Sequence, residues 1–102
     1  MNGYEVIWTL PAQEELDLIY EYYSLRSEEV AVRLISGILN RAKQLQEFPF
    51  SGQEEETLVK LKLGHRFIVE GNYKIIYRLS GSIVYVTDVF DARQNPRKIL
   101  KK

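Results

Sequence analysis

The residues best equipped for chemistry are cations carried on β-rich sequence. In the run Tyr73–Leu79, period-2 alternation places Lys74, Ile76 and Arg78 on one face and Tyr73, Ile75, Tyr77 and Leu79 on the other. Cations mounted on a strand are fixed in direction, which suits them to a phosphate or another anion. Arg93 follows a second run, Ile83–Phe90, and precedes Asn95-Pro96, which ends the ladder because proline has no backbone donor. It therefore sits at a strand exit, beside the middle of a sheet. Arg66 opens a third stretch, Arg66–Glu70, and equally suits an ion pair with Asp88 or Asp91 across that sheet. His65 is the one side chain whose ordinary pKa, about 6.5, makes it a proton shuttle, although a plain loop histidine fits the same position. Glu70 would be a base only if it faced Arg93. Lys60, Lys62, Arg78, Arg97 and Lys98 complete the cations available to a phosphate or a partner.

What the chain lacks narrows the field. The 102 residues contain no cysteine and one histidine, so a disulfide framework, a thiolate nucleophile and a thiolate or histidine-rich metal site are excluded, and no cofactor is implied. The N-terminal MNGYEVIW has neither the basic start nor the apolar core of an export signal, and no apolar run reaches the roughly 20 residues that span a bilayer. A cytoplasmic protein without a membrane segment is expected. The net charge is zero but divided: residues 1–56 carry four cations against eleven carboxylates, a net −7, and residues 57–102 carry ten against three, a net +7. A basic half with interleaved tyrosines favours a polyanion or an acidic protein segment; it is equally explained by pairing with the acidic half.

The elements that must position these residues follow from periodicity. Tyr4–Trp8 alternates as a strand. Proline in a first helical turn, followed by Glu14, Glu15 and Asp17, starts a helix over about Pro11–Leu25 that turns Leu16, Ile19, Tyr20 and Tyr23 inward and leaves Tyr22 outside. Ser27 caps a second helix, reaching about Glu47, with Ala31, Leu34, Ile35, Ile38, Ala42 and Leu45 on its apolar face. Phe48-Pro-Phe-Ser-Gly52 ends this αα-hairpin in a turn, and Glu54–Glu56 is expected to be a solvated loop. Lys60 and Lys62 alternate with Leu61 and Leu63 until Gly64 breaks the run. Gly71-Asn72 and Ser80-Gly81-Ser82 then join three strands. The sum is βααβββ over residues 1–102, a single α+β domain with the αα-hairpin on one face of an antiparallel sheet.

This order of elements, with Phe-Pro-x-x-Gly at 48–52, Arg66, Tyr-Lys-Ile-Ile-Tyr-Arg at 73–78 and Val-Phe-Asp-Ala-Arg-x-x-Pro at 89–96, resembles the RelE/ParE superfamily of toxins from type II toxin–antitoxin pairs. The resemblance covers nearly the whole chain. It implies a growth inhibitor of the plasmid-stabilising kind, wrapped by the C-terminal segment of a co-expressed antitoxin in a toxin–antitoxin hetero-oligomer. RelE-like members cleave mRNA on the ribosome, whereas ParE-like members poison DNA gyrase.

Metal-free RNA cleavage needs a base for the 2′-OH, cations at the scissile phosphate and an acid for the leaving oxygen. The resemblance to RelE puts Lys74 and Arg93 at that family's basic positions, with Arg66 beside them and His65 as a weaker candidate. Lysine and arginine, titrating near 10.4 and above 12, are poor bases at neutral pH. The tail Arg97–Lys102 offers no tyrosine or histidine to stack a base or move a proton. With zero net charge besides, the chain resembles the ParE branch more: a gyrase inhibitor. A ribosome-dependent endoribonuclease and a non-toxic antitoxin-binding relative are the alternatives.

Overall fold

A computed structural model describes residues 3–101; Met1 and Asn2 of the N-terminal segment and the last lysine of the basic tail lie outside them. Five strands and two helices form: β1 (Glu5–Trp8), α1 (Leu10–Ser24), α2 (Glu28–Lys43), β2 (Gln53–Glu54), β3 (Arg66–Glu70), β4 (Tyr73–Ser80) and β5 (Ile83–Asp91). Short 3₁₀ helices occupy Gln44–Gln46, Glu56–Leu61 and Pro96–Lys101. The helices start where local chemistry dictates. Thr9 is extended and its hydroxyl accepts from the Ala12 N–H, while Ser27 does the same for Val30. In α2, Glu28 and Glu29 lie at the N-terminus and Arg41 and Lys43 at the C-terminus, each opposing the helix dipole.

The sheet order is β1-β5-β4-β3-β2. Three ladders are antiparallel, but β1 runs parallel to β5, with Glu5 opposite Ile83 and Trp8 opposite Val86, so the sheet is mixed where a purely antiparallel one was expected. Pairing between strands more than seventy residues apart is set by how the helix layer returns the chain, and no local pattern records its direction.

Both faces of the sheet are covered. Ala12, Ile19, Ile38, Ala42 and Leu45 from the helical segment pack on Ile68, Tyr73, Ile75, Tyr77, Val84, Val86 and Val89. On the opposite face Ile76 and Phe90, with Phe67 beside them, are roofed by Leu58 and Ile99 from the second and third 3₁₀ helices. The face carrying Lys74 and Arg78 is thus partly a second core.

Two features break the expected alternation. A bulge in β5 sets Ile76 opposite Asp88 but Tyr77 opposite Val86, leaving Thr87 extra; its hydroxyl lies 3.4 Å from the Ile76 carbonyl. Val84 and Val86 therefore face the helices before the bulge and Val89 after it. Further back, the run Glu56–Leu61 winds into a 3₁₀ helix stopped by Lys62 in the left-handed region (φ 57°), so Leu61 and Leu63 stand exposed. Tyr20, expected inward, is only half-buried, because its hydroxyl reaches across the αα-hairpin to Glu28 (3.0 Å).

Candidate functional site

Strand register decides which candidate residues can meet. On β3, Arg66, Ile68 and Glu70 lie opposite Tyr77, Ile75 and Tyr73, which puts Arg66 and Glu70 on the helix face. Lys74 and Arg78 point to the other face. Arg93 leaves β5 on the helix side, against α1. The three cations named for phosphate chemistry are therefore not brought together.

Lys74 is committed to a carboxylate that the sequence hides. Its Nζ lies 2.9 Å from Glu55 Oε1 and 4.2 Å from the centre of the Phe67 ring. The Glu55 side chain is 2% exposed, in contrast to the solvated loop expected for Glu54–Glu56. Only Glu54 and Glu56 are exposed, Glu54 pairing in β2 and Glu56 opening the 3₁₀ helix. The Thr57 N–H donates to Glu55 Oε2 (3.1 Å). Burial alone would raise the Glu55 pKa, but the hydrogen bonds from Lys74 and Thr57 outweigh it and hold the carboxyl below its ordinary range. No local pattern separates Glu55 from its two acidic neighbours.

Arg66 does not pair with Asp88 or Asp91, as it was suited to do. Its guanidinium donates to the Gly52 carbonyl (2.8 Å) and lies 5.6 Å from the centre of the Phe50 ring, which ties the turn after α2 to the sheet. Glu70 does not face Arg93 but turns to α2, where a Cβ added to Gly37 would come within 3.1 Å of its carboxylate. His65 is 8% exposed, and its Nδ1 finds no partner among the described residues. Burial first, and the nearby Arg78 charge second, lower its pKa, while Glu55 raises it in part. It is an enclosed imidazole whose surroundings favour the neutral form. Arg78 itself lies over the Tyr85 ring (5.1 Å), while Lys60, Lys62, Arg97 and Lys98 are exposed on the two 3₁₀ helices of that face and its flank.

Arg93 lies at a groove of about 500 Å³ between α1 and the exit of β5, whose walls include Tyr22, Tyr23, Arg26, Tyr73 and Asp91. Its guanidinium holds both Asp91 oxygens, at 2.9 and 2.7 Å, and keeps that carboxyl below its usual pKa. Tyr23 is pulled down by Tyr73 and then by Arg93 as hydrogen-bonding neighbours, whereas Tyr73 is pushed up, first by its own burial and then by Tyr23. Tyr23 packs partly against the core, as its helical spacing predicts, and also lines this groove. The adjacent tyrosines ahead of Arg26 were the available signal for this wall.

Among the described residues no group of histidine, cysteine or carboxylate side chains could hold a metal ion, and no helix is long and apolar enough to cross a membrane. The mixed sheet, with its αα-hairpin on one face and two 3₁₀ helices on the other, defines a small α+β fold. Residues 6–96 match the family described as the ParE toxin of the type II toxin–antitoxin system parDE, and the chain belongs to that family. Its fold is similar to that of a solved chain from the chromosomal ParDE TA system of P. aeruginosa, with a TM-score of 0.73 and 22% identity over 87% of this chain and 96% of that one. No curated protein matches the chain.

Proposed function

We propose that this ParE-family toxin is neutralised by a cognate antitoxin and, when free, inhibits DNA gyrase through a protein–protein surface. The observation that carries the choice against RNA cleavage is the Lys74–Glu55 pair. The cation best placed by sequence for a scissile phosphate is bound to a buried carboxylate, on the sheet face opposite Arg66 and Arg93. A nuclease active site has to aim its donors at one developing charge. Here Arg66 is engaged by a turn carbonyl, Arg93 by Asp91, and the one imidazole is enclosed.

The division of charge supports the antitoxin part of the reading, since an acidic segment is drawn to the basic half of the chain. The test is brief induction of the toxin without antitoxin, followed by mapping of mRNA 5′ ends and assay of gyrase-linked DNA breaks in the same cells. Gyrase-linked breaks with intact messages are expected. Codon-phased cuts in translated messages without DNA breaks would instead establish a ribosome-dependent endoribonuclease, and unaffected growth a non-toxic antitoxin-binding relative.

A further inference from the structure

The molecule measures about 40 × 35 × 21 Å, and the helical hairpin and the second and third 3₁₀ helices lie on opposite sides of its sheet. Each layer carries exposed apolar side chains among charges mainly of one sign, with Arg26 and Arg93 the opposite charges beside Leu18 and Tyr22 and Glu56 the opposite charge at the start of the basic 3₁₀ helix. On α1 and its C-cap, Leu18, Tyr22 and Leu25 recur at i, i+4 and i+7 and are all exposed, with Glu14, Asp17 and Glu21 alongside. On the other side the helix Glu56–Leu61 packs against Pro96–Lys101, and exposed Leu61, Leu63 and Leu100 alternate with Lys60, Lys62 and Lys98. None of Glu14, Asp17, Glu21, Lys60, Lys62 and Lys98 makes an ion pair among the described residues.

We infer that the basic 3₁₀ face docks the acidic outer face of α1 from a second copy of this chain, so that the free protein associates head to tail. The chain itself displays the partner chemistry that this face calls for: an acidic amphipathic helix. Aliphatic side chains without an aromatic among them suit a protein surface better than nucleic acid, whose bases call for stacking partners. A face of this molecule is wide enough for the roughly 800 Å² per partner of an ordinary specific interface. Because the two surfaces lie on opposite sides of the plate, a two-fold dimer cannot satisfy both at once; the contact is heterologous and propagates. The inference does not depend on the target of the toxin.

Sedimentation equilibrium of the purified, nucleic-acid-free full chain tests this. In 0.1 M salt the average mass should climb with concentration past the dimer. In 1 M salt, where the screening length falls from about 10 to about 3 Å, the association constant should drop roughly tenfold or more. Lys60→Glu/Lys62→Glu and Glu14→Lys/Glu21→Lys alter exposed residues only, and each variant alone should be monomeric while keeping the parent circular dichroism. An equimolar mixture of the two variants should associate past the heterodimer into an alternating head-to-tail assembly, since both faces of each variant complement the facing surfaces of the other. A parent chain that stays monomeric overturns the inference and leaves the basic face to a foreign acidic segment. Association that survives either double variant, or a closed dimer insensitive to salt, overturns it as well.

Discussion

The Tyr77 hydroxyl and the Gly52 backbone fit each other without room for another atom. The Gly52 N–H donates to Tyr77 Oη (2.9 Å), the hydroxyl donates to the Pro49 carbonyl (2.8 Å), and Tyr77 is fully buried. A Cβ on residue 52 would lie 2.5 Å from that oxygen and 2.7 Å from the Phe67 carbonyl. The Phe-Pro-x-x-Gly turn and the second tyrosine of β4 are thus one structural unit. Gly52→Ala must displace backbone and should cost about 3 kcal/mol or more. Tyr77→Phe leaves a buried donor and a buried acceptor unpaired and should cost about 2–4 kcal/mol. Urea unfolding measures both, and a Gly52→Ala protein as stable as the parent would refute the close fit.

Removing Lys74 strands the Glu55 carboxylate in a place water does not reach. Lys74→Ala should therefore destabilise the fold by about 3–5 kcal/mol, whereas Glu55→Gln/Lys74→Met, which removes both charges, should recover most of that loss. The pair also sets an acid limit. Because the Glu55 pKa is lowered in the folded state, its contribution is complete above the ordinary value of 4.5 and is lost as pH falls through the folded value. A chevron or equilibrium series at pH 7 and pH 3 should show the Lys74→Ala penalty shrinking at the lower pH. A penalty unchanged with pH would mean the carboxylate is not what Lys74 neutralises.

His65 acts at a higher pH. Its folded pKa lies below the ordinary 6.5, so the unfolded chain takes up a proton first as pH falls. Stability contributed by the neutral imidazole is complete above pH 6.5 and declines below it until the folded value is passed. The slope from one such group is at most about 1.4 kcal/mol per pH unit. Unfolding free energies measured from pH 7 to pH 5 should fall for the parent and stay nearly level for His65→Gln. Parallel curves would assign the acid sensitivity to another group.

Much of this architecture is legible in the residues because it rests on local chemistry. Thr9 and Ser27 cap the helices they precede, the apolar spacing of α2 matches its buried residues, and Gly81, at φ 59°, turns the hairpin between β4 and β5. What is hidden depends on partners distant in the chain. Glu55 is buried only because Lys74 reaches it, the bulge at Thr87 exists only in register with β4, and β1 chooses its direction from the sheet. The candidate site fared worse than the fold for the same reason: alternation correctly placed Lys74 and Arg78 together, but it is silent on whether Arg66 and Arg93 share their face.

That separation yields a test of function that keeps the fold. The double variant Glu55→Gln/Lys74→Met removes the Lys74 charge without stranding a carboxylate, so it should fold, bind antitoxin and, on the gyrase reading, still arrest growth at close to the parent dose. A ribonuclease relying on Lys74 at the scissile phosphate would lose on the order of 10²-fold or more in rate, as enzymes do when one donor to the developing charge is removed. Induction of parent and double variant from matched promoters, with soluble protein quantified in each culture, separates the cases. Growth arrest retained by a folded double variant makes the pair structural. Arrest lost while solubility and antitoxin binding persist would instead make Lys74 part of the toxic chemistry, and the proposed target would have to be abandoned.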